Sequence, residues 1–169
     1  PGASGGVGSA LIQLIRRRGG VPIAMCGHGK ADQVKAIGAE AVLGREHDDL
    51  PTALRAAVGR ETVDVVADVV GGSMWPQFID VLARSGRYTG AGAIAGPMVE
   101  LDLRTFYLNN LMLVGATIIP PRLFADLVTY IAKGEIKPIL AGTWPLEHLV
   151  DAQEAFLKKD HVGNFVVTL

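Results

Sequence analysis

Residues 2–14 read GASGGVGSALIQL, and this stretch decides what kind of chain follows. Gly2, Gly6 and Gly8 satisfy G-x-x-x-G-x-G, and residues 5–8 fit the tail of the looser dinucleotide fingerprints. The strict G-x-G-x-x-G fails, because Leu11 stands where its third glycine would be. Glycine in such a place serves a tight turn, a backbone approach to a pyrophosphate and close contact between helix and strand. Straight afterwards Val7, Ala10, Leu11, Leu14 and Ile15 recur at the spacing of one helix face, and Gly19-Gly20 stop it. The mouth of that predicted helix offers unpaired N–H groups and a positive dipole end, so the turn reads as an anion cradle. A glycine loop by itself could be a plain flexible turn; the segments that follow decide between the two.

Working outward, residues 21–26 form a short unbroken apolar run, as expected of a strand buried on both faces of a parallel sheet. Strands are also predicted at residues 41–43, 63–70, 88–91 and 111–116. Helices are predicted between them: residues 31–37 closed by Gly38, and residues 50–58 with Asp48 or Asp49 as cap and Pro51 in the first turn. A further helix carries Trp75, Phe78, Ile79 and Leu82 behind a Ser73 cap, and another shows the face Leu123, Phe124, Leu127, Val128 and Ile131. This alternation argues for right-handed crossovers and a parallel sheet covered on both faces. After Trp144-Pro145, read as a break, a helix over residues 146–157 and a closing strand in GNFVVTL are expected to pack outside the main sheet, the strand isolated.

Composition sets the outer bounds. With 169 residues, 49% of them hydrophobic, the chain can bury one good core. Sixteen basic and seventeen acidic residues give a net charge of −1, which provides no footprint for nucleic acid or an anionic membrane. The one dense basic run, Arg16-Arg17-Arg18, falls at a helix C-terminus and reads as a solvated end. A single cysteine, Cys26, excludes an internal disulfide and fits a reducing, cytoplasmic setting. No apolar run reaches the roughly 18 residues of a membrane span.

The adenosine end of a dinucleotide site can be read too. Sites for NAD place a carboxylate near the end of the second strand, where it accepts the ribose 2′-hydroxyl. Here that place holds Cys26-Gly27-His28-Gly29-Lys30, and the first carboxylate, Asp32, lies within the next helix. His28 and Lys30 offer donors or positive charge to a 2′-phosphate, with Arg45 a further candidate, so NADP(H) is favoured over NAD(H). An exposed lysine in a first helical turn is the bland alternative for Lys30.

Six segments in order, GASGGVGSALIQL, VKAIGAEAVLGRE, VDVVADVVGG, SGRYTGAGAIAG, LRTFYLNNLMLVGAT and PLEHLVDAQEAFLKKDHVGNFVVTL, resemble the medium-chain dehydrogenase/reductase superfamily. The resemblance is to the cofactor half of its quinone oxidoreductase-like and zinc-type alcohol dehydrogenase-like members. It implies an α/β, Rossmann-type, doubly wound parallel sheet of six strands, here lacking its first strand, with a C-terminal helix-strand tail. It further implies that residues 1–142 are an NADP(H)-binding domain and that residues 143–169 return to a catalytic domain outside this chain, where any zinc would sit. Ser4, Gly5, Gly6 and Val7 would hold the pyrophosphate, with the amides of residues 5–8 gripping it. Lys30 and Arg45 would hold the adenosine phosphate, and Val70, Gly71 and Gly72 would flank the ribose and adenine. Gly90 and Ala91 would approach the nicotinamide. Asn164 would lie near the cofactor, where relatives often carry lysine. A homodimer through the strand at residues 111–116 is also implied.

The chain itself shows no convincing acid, base or metal ligand. His28, His47, His148 and His161 lack the spacing of a helical metal pair and read as surface or satisfied side chains. Trp75, Trp144 and Phe156 read as packing residues. A short-chain dehydrogenase would need Tyr-x-x-x-Lys, but Tyr88, Tyr107 and Tyr130 are followed four residues on by Gly92, Leu111 and Gly134. The remaining readings are the cofactor domain of an oxidoreductase acting on a carbonyl, quinone or activated double bond, and a non-catalytic dinucleotide-binding or dimerisation module.

Overall fold

The structure is a computed structural model and describes residues 1–118 and 120–169. The chain divides into two compact units, one of Pro1 with Leu43–Pro120, the other of Gly2–Val42 with Pro121–Leu169.

The second of these begins with the glycine turn and helix α1 (Gly6–Arg17). Strand β1 (Ile23–Met25) pairs with β2 (Ala41–Leu43), and helix α2 (Ala31–Ile37) lies between them in sequence. The apolar side of α1 delivers Ile12 to a buried cluster with Ala3, Ala24, Cys26, Val34, Ala39 and Val162. Each of these is at most 7% exposed, so the small residues are set by close packing rather than by chance. The unit is completed by α6 (Pro121–Ala132), β6 (Leu140–Pro145), α7 (Leu149–Lys158) and β7 (Asn164–Thr168). The Arg16-Arg17-Arg18 run stays exposed but is not merely solvated. Arg17 Nε donates to Glu135 Oε2 at 2.6 Å and its guanidinium covers the Tyr130 ring, while Arg16 donates to the Gly38 carbonyl.

The other unit holds α3 (Leu50–Val58) and a parallel three-stranded sheet in the order β3 (Val63–Asp68), β4 (Leu82–Gly90), β5 (Met112–Gly115). Helices α4 (Trp75–Asp80) and α5 (Leu103–Leu108) are the crossovers. Asp49 caps α3 by accepting from the Thr52 amide at 3.0 Å, and the Pro51 ring sits in the first turn, where its missing N–H is not needed. Leu50, Leu54, Trp75, Phe78, Ile79, Val81, Leu82 and Tyr88 are all buried.

Three expectations need correction. Ser73 is not a cap: α4 starts after Met74 without a side-chain bond at its mouth, and it stops at Asp80 rather than running to Leu82. Leu82 instead opens a long β4, which is kinked at Ser85 (φ 63) where the Ser85 amide leaves the ladder for the Asn109 carbonyl. The closing strand is not isolated, because β7 runs parallel to β6 with Trp144 opposite Val167 and Pro145 opposite Thr168. Pro145 is tolerated there as the last residue of a strand in a two-stranded sheet, where a missing ladder donor costs little.

Candidate functional site

The glycine turn is built around the mouth of α1. Gly5 caps the helix in extended conformation (φ −77, ψ 174), and its carbonyl accepts from the Ser9 amide at 2.9 Å. The Gly5 amide is already committed to the Gly2 carbonyl at 3.1 Å, so the donors left by helix geometry are the amides of Gly6, Val7 and Gly8. The expectation that residues 5–8 all present amides is corrected to these three. A side chain at Gly8 would run into the backbone of Gly2 and Ala3, so here the helix must approach the incoming chain without a Cβ. That is the role a third glycine plays in the stricter fingerprint, filled at another place.

Two chain-distant segments close on this turn. The Ala3 amide donates to the Met25 carbonyl at 3.1 Å, which fixes the turn beside the end of β1. On the other side Gly5 bridges Gly163, and the Gly163 amide donates to the Ser4 carbonyl at 2.9 Å. The next side chain, Asn164, lies against Gly6: a Cβ there would overlap its carboxamide. Ser4, Gly5, Gly6, Val7 and Asn164 are therefore neighbours.

Past β1 the chain makes a short 3-10 turn, His28–Lys30, in which the Lys30 amide returns to the Gly27 carbonyl. His28 is exposed, and the Lys30 ammonium donates to the Lys159 carbonyl at the end of α7. The nearest carboxylate in sequence, Asp32, is in the first turn of α2.

In the other unit, Arg45 is exposed in the loop after β2. Val70, Gly71 and Gly72 come just after β3, Gly90 ends β4 and Ala91 follows it, so all five stand at the carboxyl edge of the parallel sheet, where α/β folds bind ligands. Asp68 holds this edge together. Its side chain is 1% exposed and accepts at Oδ1 from the Val70 amide (2.7 Å) and the Gly71 amide (3.0 Å), and at Oδ2 from the Tyr88 hydroxyl (2.7 Å). Its own carbonyl accepts from the Ala91 amide at 2.9 Å. Gly71 takes φ +68 with the loop of residues 93–96 against it, a combination of left-handed backbone and crowding that suits only glycine. Burial, then the bond to Asp68, push the Tyr88 hydroxyl above the ordinary tyrosine range, so it remains a donor.

The zinc-binding dehydrogenase profile matches residues 6–133. The chain belongs to that family. Among zinc-binding dehydrogenases and their relatives, a crystal structure from Sinorhizobium meliloti, of a protein assigned as an alcohol dehydrogenase, is 50% identical with a TM-score of 0.93. The superposition covers 99% of this chain and 46% of that one. The crotonyl-CoA reductase of Streptomyces collinus is 28% identical over 96% of this chain and 40% of its own length. A crotonyl-CoA carboxylase/reductase solved with NADP has a TM-score of 0.92 over 99% of this chain and 48% of that one, and at 23% identity it shows the fold alone. The chain thus spans less than half the length of these relatives, and the medium-chain dehydrogenase/reductase resemblance stands.

The family's metal finds no seat here: among the described residues no group of three His, Cys, Asp or Glu is placed to hold an ion. Two histidines depart from expectation. His47 Nε2 and His161 Nδ1 are shielded from solvent without a hydrogen-bond partner among the described residues, whereas the exposed His148 meets Asp151 at 2.8 Å. Sequence reasoning gave no role to Asp68 or Tyr88. The signal was present in VVADVVGG, where a carboxylate interrupts an apolar strand just before two glycines. No helix among the described residues is long and apolar enough to cross a membrane.

Proposed function

We propose that this chain is the cofactor-holding part of an NADP(H)-dependent oxidoreductase, which moves hydride to or from a carbonyl, quinone or activated double bond. The observation that carries the reading is the mouth of α1. Three unpaired amides stand behind a turn that excludes side chains, and an uncharged Asn164 carboxamide lies beside them. The residues fit a diphosphate: Gly6, Val7 and Gly8 would donate to its oxygens, and Ser4 and Asn164 would border it. Lys30, with no acidic residue in the β1 loop, favours a 2′-phosphate, with His28 and Arg45 as further donors. Val70, Gly71, Gly72, Gly90 and Ala91 would flank the remainder of the nucleotide, on a backbone held rigid by Asp68.

A bound nicotinamide supplies the hydride chemistry, and the residues of this chain would bind and orient it. In this reading the groups that polarise the substrate, and the domain to which residues 143–169 return, lie elsewhere in the full-length protein. The crotonyl-CoA and acryloyl-CoA reductases among the relatives support an activated double bond as the substrate class. A homodimer through β5 is part of the same proposal, since this outer strand of its sheet leaves Met112 53% and Val114 45% exposed.

The test is a fluorescence titration of the full-length protein with NADPH and NADH. NADPH is expected to bind more tightly, with the preference reduced in Lys30→Ala. NADH binding at least as tight as NADPH, or an unchanged preference in the variant, contradicts the assignment of the phosphate.

A further inference from the structure

The connection between α7 and β7 brings a second cation to the β1 loop. Lys159 closes α7 in the left-handed region (φ 56), and its carbonyl accepts from the Lys30 ammonium. The Lys159 ammonium itself lies 3.6 Å from the centre of the Phe156 ring. Beside it the His161 ring packs on Phe165 at 4.3 Å and on Phe156 at 5.2 Å. Burial lowers the basicity of His161, and the charges of Lys30 and Lys159 lower it further against one opposing carboxylate, Asp160.

Both ammonium groups are thus held by a carbonyl and a ring face instead of by counter-charge. Among the described residues neither has a carboxylate partner. Two unneutralised cations repel each other, so placing them together costs stability unless an anion completes the arrangement. The connection that carries Lys159 is fastened by Gly163 to the glycine turn, and the loop that carries Lys30 follows the strand whose end reads the ribose 2′ position in dinucleotide folds.

We propose that Lys159 joins Lys30 in binding the adenosine 2′-phosphate, so that selectivity is shared between the β1 loop and the α7–β7 connection. This rests on the nucleotide reading above. Phosphate oxygens replace the Lys159 carbonyl as acceptor for Lys30, and the Lys159 stem swings off the Phe156 ring to reach the same group. His161, fixed between two rings, sets the course of the backbone between the two lysines and β7.

The experiment is calorimetric titration of the full-length protein with adenosine 2′,5′-bisphosphate and with adenosine 5′-monophosphate, which differ only in the group at issue. Lys159→Gln is expected to weaken the bisphosphate about tenfold, the loss of one charge-assisted bond, and to leave the monophosphate unchanged. Lys159→Arg is expected to restore most of that loss. Unchanged bisphosphate affinity in Lys159→Gln overturns the proposal, as does equal weakening of both probes, which marks a structural role. A wild-type protein that binds neither probe removes the nucleotide reading along with this one. A wild-type protein that binds both equally leaves the nucleotide reading standing and refutes the phosphate site.

Discussion

Replacing Asp68 by alanine strands three donors at once. The Val70 and Gly71 amides lie in a half-buried loop and recover part of their loss from water, whereas the Tyr88 hydroxyl is buried and cannot. An unsatisfied buried donor costs about 1–3 kcal/mol, and two partly hydrated amides add about 1 kcal/mol each, so the loss should be about 3–5 kcal/mol. Asp68→Asn keeps an oxygen toward the amides and turns its NH2 to the Tyr88 oxygen, so it should lose only about 1–2 kcal/mol. Chemical denaturation of the full-length protein, followed by Trp75 fluorescence, reads these differences, because that ring meets Tyr88 edge-on at 4.7 Å. Exchange of the Val70 and Gly71 amide protons should accelerate in the alanine variant before global unfolding does. If Asp68→Ala came within about 1 kcal/mol of the parent, the carboxylate would not be what holds this sheet edge.

Three further outcomes follow from the same geometry. The folded protein holds the Tyr88 proton above the ordinary value of 10, so the contribution is complete below that pH and declines as pH rises beyond it. Alkaline titration of stability should therefore be shallower in Tyr88→Phe, and parallel curves would speak against the bond. For His161 the sign is opposite: with its basicity lowered from 6.5, the fold favours the neutral ring, and stability should fall as pH drops below about 6.5. His161→Gln should blunt that fall in a melting series, and an unaltered slope would dismiss the residue as its source. Gly8→Ala should cost about 1–3 kcal/mol, since the yielding atoms are backbone, and should loosen nucleotide binding in the titration above. A variant with normal stability and affinity would show that the helix approach is not tight.

Much of this was legible in the sequence because the decisive patterns are local. Helix α2 stops at Gly38 and α3 runs over residues 50–58 as expected, with Asp49 serving as the cap out of the two candidates, and Ala41–Leu43 is a strand as its apolar run indicates. The glycine turn, too, announces itself through spacing. What escaped depends on partners far along the chain. Pro145 looked like a break because nothing nearby reveals that its strand pairs with β7, more than twenty residues on. The short α5 was not among the expected helices: none of its residues is buried, and its mouth is set by the Asp102 side chain, which accepts from the Arg104 amide at 2.8 Å. Lys159 was passed over since its link to Lys30 spans nearly the whole chain, and Asp68 since its value lies in three hydrogen bonds that only the folded sheet assembles.

The bridge from Gly5 to Gly163 has a bearing on biogenesis. During synthesis the glycine corner emerges long before Gly163, the backbone that braces it, so a nascent chain carries this corner unbraced while all the intervening segments are made. Contacts of such long range are costly to close and form late. Any cut in the β7 segment, by a stop codon or a protease, would therefore be felt at the glycine corner, far away in sequence.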